Sequence, residues 1–424
     1  MHAPHMPQLS RACGVDFGTS NSTIGCLRPG APVLLPLEDG RPTLPSAVFF
    51  NADEDSVSFG RAAMTEYMDG YEGRLMRALK SLLGTSLIDG HTEVLGRPLA
   101  YRQLLKDFIA ELKRRAEREA GRGFDMAVFG RPVQFVDDDP VADRRAQDTL
   151  EAIAHEVGFA EVSFQLEPIG AALHYESTLH RGELVLIADI GGGTADFSIV
   201  RLSPERMRVA DRRVDVLGNA GVHIGGTDFD RVFSLECVMP TLGYRSRMRS
   251  GAEIPSSIYF QLAAWHTINF AYTRQAWSDL QQVYRDAEAR EALDRLCRLV
   301  SQREGHWLAV QVEQAKVALS SECSVRMLLD RLGDGVTLEL SRAAFASATR
   351  ALVDRVGVCV GQLLRATDVP VGRIDTIYFT GGASGVPQLR ARIAAELPDA
   401  RAVEGDLYGS IGTGLAIEAA RRYG

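Results

Sequence analysis

The chain has 424 residues, 46% of them apolar and 24% charged, a length for two or three ordinary domains and a balance that excludes a disordered or collagen-like polymer. No stretch reaches the roughly 18 uncharged apolar residues of a membrane span; a net charge of −8, from 47 basic and 55 acidic residues, argues against a dedicated nucleic-acid binder. The 40 glycines are the one unusual figure, above the average of about 7%.

Residues 1–11 hold no apolar run of the kind a secretory leader carries. None of the six cysteines forms a CxxC pair, and most sit in apolar surroundings, so they read as mostly buried thiols of a reducing cytoplasm.

The first patterned segment is Ala12-Cys13-Gly14-Val15-Asp16-Phe17-Gly18-Thr19-Ser20-Asn21-Ser22-Thr23-Ile24-Gly25-Cys26-Leu27. It predicts an apolar strand ending in Asp16, a turn, and a return strand. A helix is expected over residues 99–120, a buried strand over 126–130, a helix over 141–157 and a strand over 162–166. Glu167-Pro168-Ile169-Gly170-Ala171-Ala172 follows; Pro168 suits a first helical turn, and Gly170 with its alanines permits close packing.

The opening pattern then returns. Ala188-Asp189-Ile190 ends a second apolar run, Gly191-Gly192-Gly193-Thr194 is the turn, and Ala195-Asp196-Phe197-Ser198 starts the return strand. Asp189 takes the place in this copy that Asp16 takes in the first. Two such hairpins, a domain length apart, predict a duplicated α/β unit with a cleft between the copies. The second half continues with a loop, Gly225-Gly226-Thr227-Asp228-Phe229-Asp230, a long helical region over 255–319 and a β-rich patch over 325–340. A helix over 342–366, a strand over 376–379, the turn Gly381-Gly382-Ala383-Ser384-Gly385 and a last helix beginning near Asp406 complete it.

Turns of Gly, Thr and Ser let several backbone N–H groups point at one set of anionic oxygens, because no β-carbon blocks the approach. One such turn in each half would grip a triphosphate from two sides. A P-loop is excluded: no GxxxxGK[ST] occurs, and each turn leads into a strand. An Asp before each turn sits where a phosphate-bound Mg²⁺ needs a carboxylate, directly or through water. Glu167, at a helix start, can orient an attacking water, and Lys80, in Leu79-Lys80-Ser81-Leu82, can steady a transferred phosphoryl group, roles that spacing alone does not demand. Singly, a GGGT turn is a tight hairpin, an Asp at a strand end is a turn cap and Lys80 is a surface lysine; four such turns together point to a nucleotide.

In order and over residues 14–420, these motifs resemble the actin-like ATPase superfamily, and specifically the nucleotide-binding domain of the DnaK-type 70-kDa heat-shock chaperones. Val15-Asp16-Phe17-Gly18-Thr19-Ser20-Asn21-Ser22 resembles the family's first phosphate loop, the segment from Ala188 to Asp196 its second, and Gly225-Gly226-Thr227-Asp228-Phe229-Asp230 its GGxDFD element. Within the family the chain is most like the short YegD-like chaperones that lack a substrate-binding domain. The resemblance implies two duplicated ribonuclease-H-like lobes around a nucleotide cleft: lobe I from 11–183 with 403–424, and lobe II from 184–402 with a helical subdomain at about 230–320. On this likeness the chain ends soon after the nucleotide domain, with no residues for a substrate domain.

Carried over by position, Asp16 and Asp189 would hold Mg²⁺ through water, Lys80 would contact the γ-phosphate, Glu167 would order the nucleophilic water, and Thr194 and Asp196 would be catalytic-loop residues. Gly18, Thr19, Ser20 and Asn21 would cradle phosphates with Gly191, Gly192 and Gly193. Gly225, Gly226, Thr227, Asp228, Gly381, Gly382, Ala383 and Asp406 would complete the nucleotide site, with Glu313, Lys316 and Ser320 on the ribose and adenine side. Pro132 matches a proline implicated in lobe coupling. Two positions depart: Val317 and Gly385 stand where the family has arginines, removing about 1–3 kcal/mol of stacking on the base.

The expected function is therefore that of a cytoplasmic Mg²⁺-dependent ATPase of the chaperone type, with ATP/ADP and Mg²⁺ as cofactors and protein clients or co-chaperones as partners, and no metal beyond Mg²⁺. A non-hydrolysing nucleotide-gated scaffold or actin/MreB-like filament subunit is the alternative. A sugar-kinase-like phosphotransferase fits less well, since Gly225 to Asp230 and Glu167 to Ala172 favour the chaperone side.

Overall fold

Both predicted strand–turn–strand segments are antiparallel hairpins, and each founds a sheet. In the computed structural model, which describes residues 10–28, 31–209 and 212–424, β1 (Ala12–Asp16) turns back into β2 (Asn21–Arg28), with Asp16 opposite Thr23. β3 (Ala31–Leu34) pairs antiparallel with β2, while β4 (Met126–Arg131) and β5 (Glu161–Leu166) add in parallel on the other side. The path is β5-β4-β1-β2-β3.

The second hairpin, β6 (Glu183–Ile190) with β7 (Ala195–Leu202), does the same. β8 (Val216–Val222) joins β7 antiparallel, and β9 (Thr376–Thr380) and β10 (Arg401–Glu404) add in parallel, giving β10-β9-β6-β7-β8. Strand order and direction match the first sheet position for position, and each half carries its long insertion between its third and fourth strands. β1 and β9 are buried along their whole length and β6 along nearly all of it. This is why they read as continuous apolar runs rather than alternating ones.

α1 (Tyr101–Ala120) begins two residues later than expected, because Leu99 and Ala100 end a short strand, Arg97–Ala100. Its buried stripe of Leu104, Leu105, Phe108, Ile109 and Leu112 joins Phe17 and Phe129 in the core of the first half. Gly121, at φ 67°, closes it in the left-handed conformation that glycine adopts without penalty. α2 (Pro140–Glu156) starts on Pro140, with the Asp139 carboxylate accepting from the backbone N–H groups of Val141 and Ala142. α3 (Glu167–Glu176) starts at the predicted glutamate.

The chain divides into two compact units. The first, Met1–His223, Val358–Ser384 and Ile393–Gly424, contains both sheets; the second is Ile224–Gly357 with Gly385–Arg392. In the second unit the expected loop at Gly225 is the start of a helix, α4 (Gly226–Phe233), because Gly225 serves as its N-cap and donates its N–H to Asp228 Oδ2 at 3.1 Å. The expected long helical region consists of Ser257–Ala263, Arg274–Asp286, Arg290–Ser301 and α5 (Gly305–Ser321). Thr273 caps one of these by accepting from Ala276 N, and Arg303 reverses the chain before α5 at φ 56°. The β-rich patch is a hairpin of Ser324–Leu328 with Thr337–Ser341.

α6 (Ser410–Tyr423) begins four residues beyond Asp406, correcting the expected start. It lies against α3 and β1 at a distance only glycine allows: a β-carbon on Gly414 would fall 1.7 Å from the Gly170 carbonyl oxygen, and one on Gly14 2.3 Å from the Leu415 backbone. The cysteines are all free, but only Cys13, Cys26 and Cys359 are buried; Cys323 is exposed, so the expectation of mostly buried thiols holds for half of them. Among the described residues no helix is long and apolar enough to cross a membrane.

Candidate functional site

The β1–β2 and β6–β7 turns meet inside the first unit. A β-carbon on Gly192 would lie 2.4 Å from Ser20 Oγ, and one on Gly193 2.9 Å from Thr19 Oγ1. The glycines of the second turn thus make room for the hydroxyls of the first. Each turn is held locally. Gly191 N–H donates to Thr194 O at 2.9 Å; Gly18 N–H donates to Ser22 Oγ at 3.3 Å, and Ser46 Oγ donates to Gly18 O at 2.7 Å. Ser46 is a supporting residue that the sequence reading missed, since nothing in its local pattern marks a contact with a turn elsewhere in the chain.

Five buried charged side chains converge here. Asp16 ends β1, Asp189 lies near the end of β6, Asp196 begins β7, Glu167 opens α3, and Lys80 comes from a short 3-10 turn, Leu79–Leu82. Lys80 Nζ donates to Glu167 Oε1, with both side chains only 8% exposed. Ala78, just before the lysine turn, adopts the left-handed conformation at φ 54°, a strained state for an L-residue. Asp196 Oδ1 accepts from Val133 N–H at 2.6 Å.

Four carboxylates share one ammonium. Burial, then the charge of Glu167, push Asp16 up to about 7 against the pull of Lys80. Burial and Glu167 likewise raise Asp196 to about 7, against hydrogen bonds from Thr194 and Val133. Asp189 is raised by burial and by Glu167, Asp196 and Asp16. Burial alone would lower Lys80, but Glu167 and Asp16 outweigh it and hold the ammonium charged.

This donor set fits a cation with a polyphosphate. Among the described residues, Asp189 Oδ1 and Asp196 Oδ2 are buried with no hydrogen-bond partner, a cost that a hydrated cation would remove. No three His, Cys, Asp or Glu side chains among the described residues come close enough to ligate an ion by themselves. A Mg²⁺ ion would therefore keep most of its waters, as that ion prefers.

The remaining expected residues fall in two places. Gly381, at φ 79°, lies in the first unit beside the second turn: its β-carbon would sit 2.7 Å from Asp189 Oδ1. Gly382 and Ala383 follow it, and Asp406 lies on the same unit, its carbonyl 3.5 Å from Thr380 Oγ1. Gly225, Gly226, Thr227, Asp228, Glu313, Lys316 and Ser320 belong to the second unit. There Lys316 Nζ donates to Asp230 Oδ2 at 2.8 Å and to Gly226 O at 3.1 Å, tying α5 to α4. Val317, next to it, is 58% exposed.

A sequence model of the family described as Hsp70 protein matches residues 12–94, 91–239 and 296–419 of the chain. Among curated proteins it is similar to chaperone protein DnaK of Ureaplasma urealyticum, 25% identical over 386 residues that cover 89% of this chain and 53% of the relative. The DnaK proteins of Prochlorococcus marinus (24% over 409 residues, 90% and 54% covered) and Thermosipho africanus (27% over 386 residues, 89% and 53%) are similar to it as well. The chain spans about half the length of these relatives.

Proposed function

The chain belongs to the Hsp70 family, and on that premise we propose that it binds ATP and hydrolyses it in a Mg²⁺-dependent reaction, as a chaperone-type ATPase. Its fold is the actin-like ATPase fold, and the two sheets of equal strand order are the duplicated halves of that fold. The observation that carries the reading is the buried group of Asp16, Asp189, Asp196 and Glu167 around Lys80, at the meeting of two turns lined by glycine and hydroxyl groups. The lobes of this reading are 11–183 with 403–424, and 184–402.

When bound, the Mg²⁺-triphosphate supplies the electrophilic phosphorus and the countercharge. The protein's part is positioning and electrostatics. Gly191, Gly192 and Gly193 with Thr19 and Ser20 would present N–H and O–H donors to phosphate oxygens. Asp16 and Asp189 would hold waters of the metal. Glu167, oriented by Lys80 through Oε1, would accept a hydrogen bond from the attacking water with its second oxygen. Lys80, kept charged by the surrounding carboxylates, would offset the charge gathering on the transferred group.

Closure and reopening around the nucleotide would alter the binding of protein clients or co-chaperones, in the cytoplasm. The test is phosphate release with and without Mg²⁺, for wild type and Lys80→Ala, alongside ATP affinity. Mg²⁺-dependent release that Lys80→Ala abolishes supports the ATPase reading. ATP binding without turnover in wild type would replace it with a nucleotide-gated scaffold, and equal release by both proteins would remove Lys80 from the mechanism.

A further inference from the structure

The family resemblance implies planar arginines against the base at two positions that here hold Val317 and Gly385. The first unit carries an exposed aromatic ring beside Gly382. Tyr408 lies between β10 and α6, and it is 51% exposed. A β-carbon on Gly382 would lie 3.1 Å from Tyr408 Cε1 and 3.6 Å from Cζ, so the ring rests beside the Gly382 backbone. Gly382 adjoins Gly381, whose own β-carbon would fall 2.7 Å from Asp189 Oδ1. Asp189, the glycine pair and the phenol therefore follow one another within this unit. A nucleotide held by its phosphates at the turns would reach this ring by extending along the glycine pair.

The ring is open but its backbone is fixed. Tyr408 N–H donates to Asp406 Oδ1 at 3.1 Å, and the Asp406 carbonyl accepts from Ser410 Oγ at 2.7 Å. Ser410 Oγ lies 3.0 Å from Tyr378 Oη in the interior. Among the described residues Tyr408 has no aromatic or cationic partner of its own. A half-exposed aromatic side chain on a rigid turn presents a large planar surface at small cost in side-chain entropy.

We propose that Tyr408 is the residue on which the nucleobase of the bound nucleoside triphosphate stacks, replacing the missing arginines; this rests on the nucleotide site proposed above. Stacking holds a base by its π-face without reading its edge, so the ring supplies affinity for a nucleoside over bare phosphate rather than a choice among bases.

Titration calorimetry of the full chain with Mg²⁺-ATP and with Mg²⁺-tripolyphosphate tests this, using wild type, Tyr408→Ala, Tyr408→Phe and Tyr408→Trp. Tyr408→Ala should weaken ATP binding roughly 5- to 150-fold and leave tripolyphosphate unchanged, while Tyr408→Phe binds ATP as wild type does. Tyr408→Trp should add an indole signal that ATP quenches and tripolyphosphate does not. Unchanged ATP affinity in Tyr408→Ala, an equal loss for both ligands, or no ATP-specific quench overturns the assignment while leaving the nucleotide site standing. A wild type that binds neither ligand overturns the nucleotide site and this inference with it.

Discussion

Lys80 and Glu167, 87 positions apart in the chain, form a buried ion pair at the centre of the acidic cluster. Removing the lysine leaves a buried carboxylate without its partner, which costs about 3–5 kcal/mol. Lys80→Ala should lower the melting temperature of the nucleotide-free protein clearly. Adding Glu167→Gln should restore part of that stability and none of the phosphate release. A double mutant no more stable than Lys80→Ala would show that the pair is not what holds this corner.

Gly192 makes room for Ser20. Gly192→Ala places a carbon 2.4 Å from Ser20 Oγ, and overpacking of this kind costs about 1–3 kcal/mol. Because Ser20 Oγ must turn away and Thr19 and Ser20 give ground, the phosphate-facing hydroxyls are displaced and ATP affinity should fall by about tenfold or more. Gly372→Ala, at a site with open space around it in the same unit, is the control and should leave the affinity unaltered. Calorimetric affinities for the two variants decide the point.

Arg131 acts on Asp196 at one remove. Its guanidinium binds Asp143 at 2.9 Å, Gln147 at 2.6 Å and the carbonyls of Pro132 and Val133 at 3.0 and 3.2 Å, and it lies over the Phe135 ring. This fastens the segment whose Val133 N–H holds the Asp196 carboxylate. Arg131→Lys lacks the planar fork and should lower kcat about tenfold with ATP affinity unchanged. Matching losses in both would mean that the segment supports binding rather than turnover.

Acid stability has a separate source in the first unit. Burial would raise the Asp215 carboxyl, but hydrogen bonds from Arg206 and Arg212 hold it below its ordinary value. Arg212 also grips Glu176, at 2.5 and 2.7 Å. A depressed carboxylate contributes stability that is complete above the unfolded pKa of about 3.9 and disappears as pH falls through the folded value. Wild type should therefore lose more melting temperature than Asp215→Asn between pH 5 and pH 3; parallel curves would exclude this contribution.

Much of this was legible in the sequence because it is local. Aspartates at strand ends and glycine turns announce themselves within a few residues, and both hairpins and the start of α3 follow from them. What escaped is long-range or depends on how a glycine is used. Ser46 and Val133 reach their partners across 28 and 63 positions, so no periodicity marks them. Gly225 and Gly226 read as a loop, yet they begin α4, because a glycine at an N-cap costs little when Asp228 returns a hydrogen bond. Asp406 read as a helix start, but its carboxylate instead closes a turn onto Tyr408 and the helix waits until Ser410. Lys80 is a candidate on chemistry that its spacing does not demand, and the family resemblance gives it a place at the γ-phosphate.

The interleaving of the two compact units sets a timetable for synthesis. The second unit is nearly one continuous stretch, Ile224–Gly357, which can gather its helices soon after it leaves the ribosome. The first unit must wait: α6 packs on β1 with only glycine hydrogens between the backbones. At about 5–20 residues per second, β1 spends tens of seconds exposed before the helix that covers it has been made. During that interval the nascent chain itself presents the kind of bare apolar strand that invites aggregation, so this unit is expected to be among the slowest parts of the molecule to reach safety.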